Sequence, residues 1–280
     1  MSKINLMVNG LPGNVASVIA RHVDSDERFT LIPYSLTGPE IDAENCLVGE
    51  NLISLVRPDE RTAQMDDILR SYSPIICIDF THPSAVNNNA QFYCERSVPF
   101  VMGTTGGDRK ALLATVEKSD IAAVIAPNMA KQIVGFQAMM AWAADTFPGL
   151  FNGYAITVRE SHQKGKADTS GTARAMVGYF NKLGLNCSAE DIEQERDPER
   201  QACEWGIPEE YLAGHGWHTY TLVSNDQTVK FQFSHNVNGR EIYAHGTLDA
   251  VMFLYENIHK GVRGKAFSMM DVLKGQGPSS

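Results

Sequence analysis

The segment Glu160-Ser161-His162-Gln163-Lys164-Gly165-Lys166-Ala167-Asp168-Thr169-Ser170-Gly171-Thr172 gathers an imidazole, two ammonium groups and a helix start. Such a set can bind an anion and deliver a proton to it. Beyond Thr172 the apolar residues Ala173, Met176, Val177, Phe180 and Leu183 recur at the spacing of one helical face, and Gly184 supplies a stop. Ser170-Gly171-Thr172 therefore stands at a helix N-terminus. Free backbone N–H groups, the positive end of the helix dipole and two hydroxyls there make a receptor for carboxylate or phosphate. Gly171 lets the anion approach the backbone. Serine or threonine before a helix is ordinarily a plain N-cap worth about 1 kcal/mol, and a lone histidine is more often structural than catalytic. The convergence of His162, Lys164, Lys166 and Asp168 with a glycine-flanked cap, behind a strand-like run from Gly153 to Arg159, favours a site. A loop with so little to bury is held for another reason.

The elements that must position this loop follow from the hydrophobic pattern. Ile4 to Asn9 reads as a buried strand, Gly10 to Ala16 as a glycine turn, and Val15, Val18, Ile19 and His22 as one face of a helix. Further strand-like runs are Phe29 to Leu36, Ile75 to Phe80, Val98 to Met102 and Ala122 to Ala126, with helical segments between most of them. Strands alternating with helices predict an α/β fold, a Rossmann-type doubly wound parallel sheet. Ligands bind such a sheet at the carboxyl ends of its strands, here Gly10 to Gly13, Asp79 to Pro83, Gly103 to Gly107 and Ala126 to Met129. Past Asn128 the alternation changes. Helices over Gln132 to Trp142 and Gly171 to Leu183, the Gly153 to Glu160 strand, and a hairpin of Thr219 to Val223 with Thr228 to His235 predict a second α+β domain. Glu190 to Tyr211 reads as a polar surface helix and loop without function. Thr247 to His259, closed by Gly261, reads as a helix that returns to the first domain.

Composition narrows the class. The chain has 280 residues, 43% of them hydrophobic and 20% charged, enough for one large or two modest domains. A net charge of −9 without any basic run argues against nucleic acid. The five cysteines, Cys46, Cys77, Cys94, Cys187 and Cys203, lack metal-ligand spacing and read as free thiols of a reducing cytoplasm. No metal is expected. No signal peptide or membrane span is read in the sequence, so secretion and membrane insertion are not expected.

Gly10-x-x-Gly13-x-x-Ala16 is a variant dinucleotide fingerprint: the glycines permit a tight turn near a pyrophosphate, with Asn14 and Val15 opening the helix, and small Ala16 permits close helix–strand packing. Any strand-to-helix turn can look like this, and Pro12 removes one N–H. After the second strand, Ser35 and Thr37 offer hydroxyls and no carboxylate for a ribose 2′-hydroxyl, which inclines the choice to NADPH over NADH; Glu40 and Asp42 follow closely enough to reverse it. Gly103-Thr104-Thr105-Gly106-Gly107 either exposes backbone where a nicotinamide must pass or is a plain βα loop.

Jointly these motifs resemble the 4-hydroxy-tetrahydrodipicolinate reductase (dihydrodipicolinate reductase) family, in its plant-type branch. The resemblance rests on Asp79 to Val86, Val98 to Arg109, Glu160 to Ala173, Ser234-His235-Asn236 through Asp249, and Met270 to Leu273. It implies a Rossmann-type cofactor domain (residues 1–128 with 241–280) and a mixed-sheet substrate and oligomerisation domain (129–240). It also implies hydride transfer from NADPH, or NADH, to a cyclic dicarboxylate in lysine biosynthesis through diaminopimelate. His162 and Lys166 fall at the catalytic positions, Ser170, Gly171 and Thr172 at the carboxylate-binding turn, and Arg240 near the substrate or hinge. Gly103, Thr104, Thr105, Ala126, Asn128 and Met129 would line the nicotinamide side, with Phe80 and Thr81 flanking the cofactor.

Physical chemistry agrees: hydride added to a conjugated C=C–C=N system leaves negative charge for an acid to quench, and a protonated lysine or imidazolium beside two carboxylates has its charged form favoured. Lys166 is expected as proton donor and His162 as stabiliser of the anion, with the reverse assignment open, and Lys164 as a solvated charge. Gln163 stands where many bacterial members carry a second histidine, as in the plant-type branch. Pro12, Asn14 and Ala16 replace the family's more usual glycine, basic residue and glycine, which removes a charge-assisted phosphate bond of about 1.5–3 kcal/mol. A paralogue acting on another cyclic imine, or an NADPH-binding sensor without catalysis, are the alternatives. A homo-oligomer, dimer or tetramer, with hinges near Asn128 and Arg240, is expected from the resemblance.

Overall fold

Pro33 decides the first departure from the expected elements. Phe29 to Leu36 was expected as one strand, but proline has no N–H to continue a ladder. The computed structural model, which describes residues 3–166 and 168–275, breaks it in two. The chain runs β1 (Ile4–Asn9), α1 (Asn14–Ser25), β2 (Phe29–Leu31), β3 (Tyr34–Leu36), β4 (Asn45–Val48), β5 (Asn51–Val56), α2 (Arg61–Tyr72), β6 (Ile75–Asp79), α3 (Val86–Glu95), β7 (Phe100–Met102), α4 (Arg109–Glu117) and β8 (Ala122–Ile125). It continues with α5 (Lys131–Thr146), β9 (Tyr154–His162), α6 (Gly171–Lys182), β10 (Glu193–Glu195), α7 (Pro198–Cys203), β11 (His215–Ser224), β12 (Lys230–Asn238), α8 (Glu241–His259), β13 (Lys265–Phe267) and α9 (Met269–Gly275). The Ile32 N–H still donates to the Leu6 carbonyl, while the Pro33 carbonyl accepts from Ser54. β3 thereby leaves β2 and pairs in parallel with β5, in a three-stranded sheet ordered β3-β5-β4 that the sequence reading did not foresee.

Two compact units result, Met1–Lys131 with Glu241–Ser280, and Gln132–Arg240. The first is built on a six-stranded sheet ordered β13-β8-β7-β6-β1-β2, with every pairing parallel. A parallel sheet is buried on both faces, and accordingly every residue of β6, β7 and β8 is buried. Its core includes Met7, Met65, Ile68, Tyr93, Phe100 and Val116.

The second unit is a four-stranded mixed sheet, β10-β9-β11-β12, with β10 parallel to β9 and the other pairs antiparallel. One face carries Val158 and Tyr220 against Ala173, Met176 and Phe180 of α6, as the helical spacing after Thr172 predicts. The segment Glu190 to Tyr211 is not the featureless surface expected. It holds β10 and α7, and both Glu195 and Gln201 are buried.

Candidate active site

In the first unit the strand order reverses between β2-β1 and β6-β7-β8, so the crevice opens at the carboxyl ends of β1 and β6. Gly10, with φ of +104°, turns there. A Cβ on it would collide with the Phe80 carbonyl oxygen, so only glycine lets these two strand ends meet. Gly13 caps α1 with no side-chain acceptor and no acidic residue in the first turn, which leaves the Asn14 and Val15 end of the helix open to an anion. These residues fit a pyrophosphate.

Ser35 and Thr37 hydrogen-bond the glycine turn. Both are buried, and their hydroxyls serve the turn: Ser35 Oγ accepts from the Leu11 N–H at 3.2 Å, and Thr37 Oγ1 donates to the Leu11 carbonyl at 2.8 Å. They shape the glycine turn. A basic group beside the loop after β3 is Arg57, just past β5. It donates to the Pro39 carbonyl at 3.3 Å and lies 4.0 Å from Asp42 Oδ1. Sequence spacing hides it, because β5 reaches the loop only through its pairing with β3.

Asp79, fully buried at the end of β6, ties Thr81 to Thr104. Its Oδ1 accepts from the Thr81 N–H (3.2 Å), Thr81 Oγ1 (2.8 Å) and Thr104 Oγ1 (2.9 Å), and its Oδ2 from Asn89 Nδ2 (3.0 Å) and the Tyr93 hydroxyl (2.8 Å). Burial, and then the Asp79 charge, drive the Tyr93 hydroxyl well above its ordinary pKa, so it stays a donor. The Phe80 ring lies against Gly103, where a Cβ would overlap it. Thr105 is exposed, Ala126 and Met129 are buried, and Asn128 Oδ1 accepts from the Ala130 N–H at 2.9 Å.

In the second unit, register makes the site. Glu160 of β9 pairs with His218 of β11, which pairs with His235 of β12, and His162 pairs with Gly216. The row Glu160, His218, His235 thus lies on one face with the His162 ring over Gly216, whose missing side chain makes room: a Cβ there would lie 3.0 Å from His162 Cε1. Glu160 is fully buried and held by Arg196, whose guanidinium donates to Oε1 at 2.5 Å. Glu160 Oε2 accepts the Ser170 N–H at 3.1 Å, and Ser170 Oγ accepts the Thr172 N–H at 3.2 Å. Arg196 also donates through Nε to the Lys166 carbonyl at 3.0 Å. One buried ion pair therefore holds both the middle and the end of the loop between β9 and α6. Arg196 was missed by sequence reasoning; the three-residue polar strand just before it carries no periodicity.

Burial pushes the His162 imidazole down to about 4, against the opposing pull of Glu160, and Arg196 and Lys166 add to the lowering. Burial takes His218 to about 2 and His235 to about 4. The imidazolium expected at His162 is thus a neutral ring near neutral pH in the free protein. Lys166 Nζ lies 3.0 Å from the exposed carboxylate of Asp168; Ala167 lies outside the described residues. Nothing stands within 4 Å of a Cβ built on Gly171, so space for an anion remains at the start of α6. Lys164 is exposed, as expected of a solvated charge. The Arg240 guanidinium lies over Gly214, beside the end of β11 that carries His215 and Gly216. Among the described residues no hydrogen bond joins it to His162, Lys166 or Ser170.

A parallel nucleotide-type sheet and a mixed-sheet unit in one chain are the plan of the two-domain nicotinamide-dependent oxidoreductases. The family described as "Dihydrodipicolinate reductase, N-terminus" matches residues 4–129, and "Dihydrodipicolinate reductase, C-terminus" matches residues 133–273. The chain belongs to the dihydrodipicolinate reductase family. It is 43% identical over 269 residues to the probable 4-hydroxy-tetrahydrodipicolinate reductase 1, chloroplastic, of Oryza sativa subsp. japonica, covering 96% of this chain and 78% of that one. It is 44% identical over 271 residues to the chloroplastic reductase 2 of Arabidopsis thaliana, covering 97% and 77%. In fold it is similar to a dipicolinate-bound dihydrodipicolinate reductase from Paenisporosarcina sp. TG-14, with a TM-score of 0.64 at 16% identity over 95% of this chain and 98% of that one. The resemblance to the plant-type branch is borne out, and with it the reaction: NAD(P)H-dependent reduction of 4-hydroxy-tetrahydrodipicolinate in lysine biosynthesis. Among the described residues no helix is long and apolar enough to cross a membrane.

Proposed function

We propose that the loop between β9 and α6 binds and protonates a cyclic dicarboxylate, with Lys166 as the proton donor, and that NADPH is the preferred reductant. The Lys166–Asp168 pair carries this reading. An exposed carboxylate 3.0 Å from the ammonium occupies the kind of position a substrate carboxylate would take, on a loop that the Glu160–Arg196 pair already holds in place. A substrate carboxylate would bind at Ser170, Gly171 and Thr172, where the open space at Gly171 and the helix dipole favour it. Bound dihydronicotinamide supplies the hydride. Lys166 then delivers the proton that balances it. His162, neutral in the free protein, accepts a hydrogen bond through Nε2 or takes a proton once a dianion raises its affinity for one. Arg240 completes the substrate end.

Gly10, Gly13, Asn14 and Val15 would meet the pyrophosphate, and Phe80, Thr81, Gly103, Thr104, Thr105, Ala126, Asn128 and Met129 the nicotinamide half. Arg57 supports the NADPH preference, since a guanidinium beside the loop after β3 can meet a 2′-phosphate. The five cysteines, none in a disulfide, suit a reducing compartment such as the cytoplasm; the plant relatives are named chloroplastic. β12 is an edge strand with Phe231 42% exposed, which supports assembly into a homo-oligomer through this sheet. The test is oxidation of NADPH and NADH in turn with freshly generated 4-hydroxy-tetrahydrodipicolinate. Faster turnover with NADPH at equal subsaturating concentration is expected; equal or faster turnover with NADH overturns the preference.

A further inference from the structure

The inner ends of His162, His218 and Glu160 face one another with no hydrogen bond between them. His162 Nδ1 lies 3.1 Å from the His215 carbonyl. Only a protonated Nδ1 can make that bond, so the neutral ring keeps its lone pair on Nε2. That Nε2 is 4.0 Å from Glu160 Oε2, and His218 Nε2 is 3.7 Å from the same oxygen. The three ligand atoms lie within 4.8 Å of one another. Neither Nε2 has a hydrogen-bond partner among the described residues, and His218 has none on either nitrogen although it is 3% exposed. Unpaired buried nitrogens of this kind each cost about 1–3 kcal/mol, and a cation that takes the lone pair of each Nε2 relieves that cost, with the His218 proton carried on Nδ1.

We propose that His162 Nε2, His218 Nε2 and Glu160 Oε2 form a binding site for a divalent cation of the zinc class, and that its occupation inhibits the reductase. The inhibitory half rests on the placement of His162 in the active site. Two imidazoles and one carboxylate suit zinc, whereas calcium and magnesium require mostly oxygen ligands. Tetrahedral bonds of about 2.0–2.1 Å put ligand atoms about 3.3 Å apart, so the gaps of 3.7 and 4.0 Å to Glu160 Oε2 close by about 0.4 and 0.7 Å, and that between the two imidazoles by at most about 1.5 Å, through side-chain rotation. The supporting contacts are present: the His215 carbonyl fixes the His162 tautomer, and Arg196 and the Ser170 N–H orient Glu160. His162, with 12% of its side chain exposed against 4% for His218 and none for Glu160, is the ligand nearest solvent, and a water entering from its side completes the site. Because Arg196 already offsets the Glu160 charge, the buried carboxylate does not depend on the metal for its counter-charge. Bound zinc removes the Nε2 lone pair from the loop and blocks the anion's approach to Lys166.

The test titrates the full chain with Co²⁺ as a spectroscopic probe and with Zn²⁺ as competitor and inhibitor. Cys203, the exposed thiol, is the competing soft ligand, so a Cys203→Ser protein is measured beside wild type and His218→Gln. Expected are the intense visible bands of tetrahedral Co²⁺ without a thiolate charge-transfer band, their displacement by Zn²⁺, and the same result in Cys203→Ser. In His218→Gln the bands vanish and the zinc inhibition constant rises by more than about tenfold, the loss that even an outer-shell partner costs. The wild-type spectrum needs no variant, so a misfolded His218→Gln does not remove the test. An octahedral spectrum, a thiolate band lost in Cys203→Ser, or unchanged inhibition in folded His218→Gln overturns the site. Tetrahedral binding with zinc-insensitive turnover overturns the inhibition, and with it the placement of His162 at the reacting centre.

Discussion

Arg196 donates to a Glu160 carboxylate that has no exposed surface, at 2.5 Å, and the other oxygen of that carboxylate accepts the N–H of Ser170. A charge so placed is stable only with its partner. Arg196→Met leaves Glu160 buried and unpaired, and is expected to cost about 3–5 kcal/mol of stability. Displacing the loop by even an ångström lowers kcat/KM by about a hundredfold. Urea unfolding and steady-state kinetics check both; an unchanged midpoint means that the pair does not hold the loop.

Burial of the imidazoles sets the acid behaviour. The folded values of about 4 for His162 and His235 and about 2 for His218 lie below the ordinary 6.5. The unfolded chain therefore binds more protons once the pH falls below 6.5, and stability declines from there through about pH 4. It is fully present above the unfolded value. His235→Leu should flatten the urea midpoint against pH between about 6.5 and 4; a slope identical to wild type would show that this ring does not stay neutral on folding.

Cofactor choice tests Arg57. Removing a charge-assisted bond of about 1.5–3 kcal/mol, Arg57→Ala should lower kcat/KM for NADPH by about tenfold or more and leave that for NADH nearly unchanged. Equal losses with both cofactors would assign Arg57 to the loop's structure.

The parallel sheet, the hairpin and α6 were legible because apolar runs and the helical spacing after Thr172 carry their own period. Gly10 and Gly103 were legible as turns, though not the Phe80 contacts that demand them. What the sequence hid depends on pairing between distant strands. Ser35 and Thr37 have the right chemistry for a ribose yet bond to Leu11 because β3 lies beside the glycine turn. Arg196 reaches Glu160 only because β10 aligns with β9, and His218 and His235 join the row only through β11 and β12. Polar strand residues show their partners in register, which no local pattern records.

The most direct measurement is turnover of Lys166→Ala with 4-hydroxy-tetrahydrodipicolinate and NADPH, alongside the dissociation constant for NADPH. Loss of a positioned proton donor predicts a fall in kcat of about 10²–10⁴-fold, with cofactor affinity unchanged. Undiminished turnover in Lys166→Ala would contradict the account and move the proton donor elsewhere.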